Sequence, residues 1–263
     1  MLMNRMRELL NRSEPALGAW TNLSDPSIPE IMGIAGLDYT FIDTEHNGLD
    51  LEGVKNHLRA ARAYGLANMV RVYTPDEKFV LRILDSGAEG ILSPHCTSPD
   101  DARAAVAAVR FPPAGSRGYT MNSRGADYGG HGKRDNTEMA EELNRLLVCG
   151  IYIEDIKGVD QIEDIVSVPG VDFVQVGPGD LSASMGLTGT VDHPDVVKAV
   201  DRIRTACNDA GVAIGMTVEH PSVSLSYAEL REQGYKALIV GNDSGMLLKG
   251  FQSRLASIRK DAV

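Results

Sequence analysis

The chain has 263 residues, more than the ~100–200 usual for one domain but close to the ~250 of a single α/β barrel. Hydrophobic residues make up 43% and charged residues 24%, with Gly and Pro scattered, which excludes a disordered, collagen-like or low-complexity protein. A net charge of −10 without a basic stripe excludes an obvious nucleic-acid binder, and no apolar run approaches the ~18 residues of a membrane span.

Taken in chain order, the first segment mixes Arg5, Arg7 and Arg12 with Met and Leu, and lacks the continuous apolar core of a secretory signal. It reads as a short amphipathic helix of a cytoplasmic protein. Beyond it, short apolar runs alternate with helical patterns, the rhythm of βα units. The runs are Ala16–Trp20, Tyr39–Asp43, Asn68–Val72, Gly90–Ser93, Leu147–Glu154, Phe173–Gly177, Ala213–Val218 and Ala237–Gly241. Being apolar on both faces, they suit parallel strands covered by helices, and eight such units predict a (β/α)₈ barrel spanning residues 1–263 as one domain.

Predicted helices cover Leu51–Tyr64, Glu77–Ser86, Pro99–Val109, Thr137–Leu146, Gly158–Val166, Pro194–Ala210 and Ser224–Gln233. Several start after a capping residue such as Asp76 or Ser98 and stop at a glycine such as Gly65, Gly87, Gly211 or Gly234. One connection, from Phe111 to Asn136, breaks the rhythm and is expected to be a long surface loop carrying His131, with Tyr119, Asn122 and Arg124 as possible substrate contacts. Cys96, Cys149 and Cys207 are distant from one another and odd in number, so each is expected as a free, buried thiol.

In a (β/α)₈ barrel, side chains at the C-terminal strand ends face the active site. That filter selects Asp43-Thr44-Glu45-His46 after the second strand, Arg71 in the third, Glu154-Asp155 at the fifth and Gly177-Pro178-Gly179-Asp180 at the sixth. Glu154 and Asp180 suit a hard divalent cation, each giving one oxygen and leaving positions open for water and substrate. His46 is a candidate general base, with Asp43 or Glu45 near enough to orient it. Arg71 suits a carboxylate of the protein or a substrate anion. The glycine-rich turn at Gly177–Asp180 exposes backbone N–H groups for a carboxylate. Together these describe a site for a 2-oxo acid, with proton removal or C–C cleavage beside its carbonyl. His57, His95, His193 and His220 are read as structural.

With FIDTEHNGLDL from Phe41, VRV around Arg71, FPPAGSRG from Phe111, Ile153-Glu154 and VGPGDLSASMG from Val176, the chain resembles the HpcH/HpaI aldolases, metal-dependent pyruvate aldolases with a (β/α)₈ barrel. The resemblance implies Mg²⁺, Mn²⁺ or Co²⁺ held by Glu154 and Asp180, and His46 as acid–base with Asp43 as its partner. It also implies Arg71 on the pyruvate carbonyl oxygen, and the Gly179 and Asp180 amides on its carboxylate. Asp85 would act in a neighbouring subunit's site, implying a homo-oligomer, a hexamer or trimer, whose partners are small 2-oxo acids and aldehydes. The sequence departs from the family's pattern at Tyr152, where Gln is common, and at Ser93-Pro94-His95-Cys96, where an apolar run is usual. Both departures bear on substrate binding. The other readings are an acyl-CoA lyase or phosphoenolpyruvate enzyme of the same superfamily, or a silent barrel that binds metal and 2-oxo acid.

Overall fold

The computed structural model describes residues 4–130, 135–223 and 225–260, so His131 and Ser224 lie outside the described residues. In chain order the first half comprises α1 (Arg5–Leu10), β1 (Ala16–Thr21), α2 (Ser27–Ile34), β2 (Tyr39–Asp43), α3 (Leu51–Ala63), β3 (Ala67–Arg71), α4 (Glu77–Asp85), β4 (Gly90–Ser93) and α5 (Pro99–Val109). A 3₁₀ turn at Arg124–Gly129 precedes α6 (Asn136–Leu146), β5 (Val148–Ile153), α7 (Ile156–Asp160), α8 (Ile162–Val166), β6 (Phe173–Val176) and α9 (Pro178–Ser184). Then follow α10 (Pro194–Ala210), β7 (Ala213–Thr217), α11 (Tyr227–Glu232), β8 (Tyr235–Asn242) and α12 (Asp243–Lys260).

The eight strands close in sequence order, every pair parallel, with β8 pairing back onto β1. The (β/α)₈ barrel expected from the apolar runs is therefore the fold. Strand burial explains why those runs were readable: β2, β3, β4 and β6 are buried at every position, as a parallel sheet covered on its outer face demands. Inside the barrel Tyr39, Phe41, Met69, Leu92 and Phe173 fill the core, while Val70, Ile91, Cys149, Ile151 and Val174 pack outward against the helices.

The far end of the barrel is stoppered by α1. Met6, Leu9 and Leu10 are buried against Ala16, Tyr39 and Ala67, and Arg7 reaches the Leu147 carbonyl at 2.7 Å and Asp172 at 2.6 Å. Its N-cap Asn4 accepts from the Arg7 N–H, as a cap should.

Sequence periodicity missed α2, because Pro26 supplies no side-chain cap and Pro29 and Gly33 interrupt the pattern. The single helix expected over 158–166 is two short ones, broken at Gln161, whose backbone leaves the helical region. The last helix, α12, also went unassigned. Its Met246, Leu247, Leu248, Phe251, Leu255 and Ile258 stay 43–68% exposed, so it lacks the one-sided burial that produces a readable stripe. All three cysteines are free and buried. Among the described residues no helix is long and apolar enough to cross a membrane.

Candidate active site

The C-terminal strand ends bring the predicted residues to one rim. Register places Asp43 of β2 beside Arg71 of β3, and the pair forms two parallel hydrogen bonds: Arg71 Nε donates to Asp43 Oδ1 at 2.8 Å and Nη2 to Oδ2 at 2.7 Å. The Glu45 N–H and the Asn47 amide donate to the same carboxylate at 3.0 and 2.9 Å. Asp43 is thus fully engaged as the anchor of Arg71 and does not contact His46, the partner the resemblance implied for it, which leaves Glu45, the other carboxylate the sequence offered, to face that imidazole. The reason is geometric: the neighbour across the strand pair takes precedence over the neighbour three residues along a turning chain.

Arg71 is 7% exposed and caged by aromatics, its guanidinium carbon 4.5 Å from the Trp20 ring centre and 5.7 Å from that of Tyr152. Burial alone would lower its pKa, but the hydrogen bonds and charge of Asp43, with Tyr152 and Glu45, hold it above the ordinary arginine value. The cation is permanent. Trp20 was missed by the sequence reading, although its place near the end of β1 met the same strand-end filter.

A second cluster lies beside it. Glu154 follows β5, is 3% exposed, and accepts from the His95 backbone N–H at 2.8 Å. Its carboxyl is raised, first by burial and then by the neighbouring charges of Glu45 and Asp180, against the lowering effect of His95. Glu45 Oε2 is buried without a hydrogen bond; Arg71 Nη1 is 3.3 Å away but not aligned to donate. His46 Nε2 lies 3.8 Å from that same oxygen, and its side chain is 63% exposed at the mouth. Glu45, not Asp43, is therefore the carboxylate facing His46.

Asp180 stands exposed in the first turn of α9, close enough to raise Glu154 electrostatically. A side chain at Gly179 would meet nothing, so a ligand can approach its backbone, whereas one at Gly177 would come within 2.8 Å of Glu154 Cβ and 3.0 Å of Tyr152 Cζ. Only glycine lets β6 turn that close. Tyr152 forms the wall between Gly177 and Arg71, and burial, followed by the charge of Glu154, raises its phenol so that it stays protonated.

His95, read as structural, lies at this rim against two of its carboxylates. It adopts a left-handed backbone, φ 52°, and its ring lies with Nδ1 3.0 Å from Glu154 Oε1 and Nε2 3.0 Å from Glu45 Oε1. The signal available in the sequence was its position directly after β4. His57 behaves as expected, buried with both ring nitrogens on the Gly53 and Leu23 carbonyls.

Asp85 is not brought to this rim. It ends α4, which descends from the rim to the opposite end of the barrel, and there Arg117 Nη2 donates to its Oδ1 at 2.7 Å. Arg117 is itself buried and stacked 4.5 Å from the Phe111 ring.

Four carboxylates, Asp43, Glu45, Glu154 and Asp180, and the imidazoles of His46 and His95 thus gather with the caged Arg71 at the strand ends. Residues 16–249 match the HpcH/HpaI aldolase/citrate lyase family. The chain belongs to it. It is 32% identical over 254 residues to the 2-dehydro-3,6-dideoxy-6-sulfogluconate aldolase of Pseudomonas putida, covering 95% of both chains. The hydroxypyruvate/pyruvate aldolase of Paraburkholderia phytofirmans is also 32% identical, over 262 residues and 97% of this chain and 98% of that one. The crystal structure of an HpcH/HpaI aldolase/citrate lyase family protein from Burkholderia cenocepacia superposes with a TM-score of 0.88 at 36% identity, covering 98% and 100% of the two chains. The protein is an aldolase, and thus a lyase, of this HpcH/HpaI family.

Proposed function

We propose that this aldolase uses a divalent cation to cleave a 4-hydroxy-2-oxo acid reversibly into pyruvate, or a related 2-oxo acid, and an aldehyde. The observation that carries the reading is the pairing of a carboxylate cluster short of positive charge with a caged, permanently charged Arg71. Crowded Glu45, Glu154 and Asp180, with one buried Glu45 oxygen that accepts no hydrogen bond, fit a cation. A hard divalent cation needs no more than two protein carboxylates when water and substrate complete its shell. Glu154 and Asp180 are those ligands, for Mg²⁺, Mn²⁺ or Co²⁺. When bound, the cation supplies Lewis-acid polarisation of the 2-oxo group.

The chain's own residues do the rest. The backbone at Gly179 and Asp180 receives the carboxylate, and Arg71 holds the carbonyl oxygen. Trp20 and Tyr152 keep water from the guanidinium, which strengthens its hold on the oxygen as charge builds there. His46 takes the proton of the 4-hydroxyl while the C3–C4 bonding pair passes to C3, leaving an enolate beside Arg71 and releasing the aldehyde. Protonation at C3 then gives pyruvate.

The named substrates of the two curated relatives, a sulfogluconate derivative and hydroxypyruvate with pyruvate, support an oxo-acid chemistry. The exposed apolar residues of α12 support a homo-oligomer, in which Asp85 would serve a neighbouring site. The expected location is the cytoplasm. Metal removal tests the reading: EDTA should abolish pyruvate formation, and Mg²⁺, Mn²⁺ or Co²⁺ should restore it. Full turnover by metal-free protein would refute it, and turnover with pyruvate and a panel of aldehydes separates an aldolase from a silent barrel.

A further inference from the structure

We propose that the chain carries a second binding site, for a small organic carboxylate, in the cavity between α1, α3, α6 and the 3₁₀ turn, at the end of the barrel opposite the strand-end rim.

The cavity has a volume of about 310 Å³, within the ~300–1,000 Å³ of small-molecule sites. Its floor is apolar and buried, formed by Leu66, Ala88, Leu143 and Leu147. Three arginines from three elements close around that floor: Arg5 of α1, Arg62 of α3 and Arg124 of the 3₁₀ turn. Arg62 is paired with Asp127 at 2.8 Å, but the guanidinium groups of Arg5 and Arg124 make no hydrogen bond or ion pair among the described residues. Room for them is built into the backbone. A side chain on Gly65 would come within 2.9 Å of Arg5 Nη1, and one on Gly87 within 3.2 Å of Arg124 Nε. In a chain of net charge −10, two guanidinium groups left unneutralised above an apolar hollow suit a ligand with an anionic head and an apolar body.

Asn68 supplies an independent observation. It starts the run of β3 that ends in Arg71, is 2% exposed, and spends its amide oxygen on the Glu89 N–H at 3.2 Å. Its Nδ2, on the cavity side, donates to nothing among the described residues. Buried donors rarely go unused, and a carboxylate in the cavity would accept from this one. Glu89 lines the same wall, where burial raises its carboxyl to about 7, so below that pH it is mostly neutral and does not repel an anion. The other charged groups facing the cavity, Arg5, Arg62, Arg124 and Asp127, are of types that keep their charge between pH 6 and 8.

The test titrates hexanoate by saturation-transfer NMR at pH 6 against wild type, Arg5→Glu, Arg124→Glu and Arg103→Glu. The last makes the same charge change on the exposed side of α5, away from the cavity. Wild type and Arg103→Glu should bind alike. Arg5→Glu and Arg124→Glu should each bind about 10-fold or more weakly, the worth of one charge-assisted hydrogen bond. The two arginines stand on different elements, so a folding defect in one variant leaves the other as the test. Raising the pH to 8 should weaken binding to wild type but not to Glu89→Gln, and inorganic phosphate, which has no apolar body, should displace hexanoate poorly. Absence of binding to wild type overturns the proposal, as does wild-type binding by both cavity variants, which would place hexanoate at Arg71 instead. An equal loss in Arg103→Glu, a wild-type affinity indifferent to pH, or ready displacement by phosphate overturns it too. None of these outcomes depends on the aldolase reading.

Discussion

Asp43 and Arg71, neighbours across β2 and β3, are locked by two parallel hydrogen bonds in a site where both are almost fully buried. Asp43 is 2% exposed and accepts four hydrogen bonds in all, so its charge is spent on holding the guanidinium. Asp43→Ala should destabilise the protein by about 3–5 kcal/mol, the cost of leaving one partner of a buried pair uncompensated. Urea denaturation measures it, and unchanged stability would mean that Arg71 finds another anchor. Asp43→Asn keeps the shape and should cost less.

His46 and Arg71 should fail in different ways. His46→Ala removes the acid–base and should reduce cleavage by about 10²–10⁴-fold while pyruvate binding survives. Arg71→Ala removes the cation beside the enolate oxygen, so exchange of the pyruvate methyl protons with D₂O should fall as well. Following the methyl signal by NMR beside a cleavage assay separates them. Undiminished exchange in Arg71→Ala would end the enolate role given to it, and wild-type-like cleavage by His46→Ala would end the acid–base role.

How much of this was legible beforehand depends on whether a feature is local. Eight strands were readable because a parallel barrel buries both faces of each strand, turning them into runs such as Tyr39–Asp43. Boundaries drifted by a residue or two: β3 begins at Ala67 and β8 extends from Tyr235 to Asn242. Strand-end position was enough to select Arg71, Glu154 and Asp180. Partnership was not, since Asp43 precedes His46 by three residues but lies across the register from Arg71. The place of His95 was hidden for a related reason: its contacts with Glu154 and Glu45 follow from a positive φ that only the assembled β4–α5 turn imposes.

A pH effect on stability should come from Glu89, near the stoppered end. Burial, only partly offset by the N–H of Met6, raises its carboxyl from 4.5 to about 7. The folded protein therefore holds this proton in a range where the unfolded chain has lost it. The associated stability is fully present below pH 4.5 and is lost as pH rises to about 7. Its size is about 3 kcal/mol. Denaturation at pH 5 and pH 8 should show wild type losing that amount relative to Glu89→Gln; parallel pH profiles for the two proteins would refute it.

Assembly is testable through α12. If its exposed Phe251 and Leu255 are covered by another copy, light scattering should report an oligomer, and Phe251→Glu should shift it towards the monomer. A wild-type monomer at assay concentration would contradict both the assembly and the cross-subunit role of Asp85.

The α1 stopper has a kinetic meaning. With Met6, Leu9 and Leu10 closing one end and side chains filling the interior, the barrel is a blind tube with a single door. Whatever lies deepest must arrive first and leave last. A 2-oxo acid seated against Arg71 lies behind an aldehyde at the exposed His46, so synthesis should follow a compulsory order, with the 2-oxo acid binding first. In cleavage the aldehyde departs first, and pyruvate should inhibit competitively against the intact substrate while the aldehyde does not.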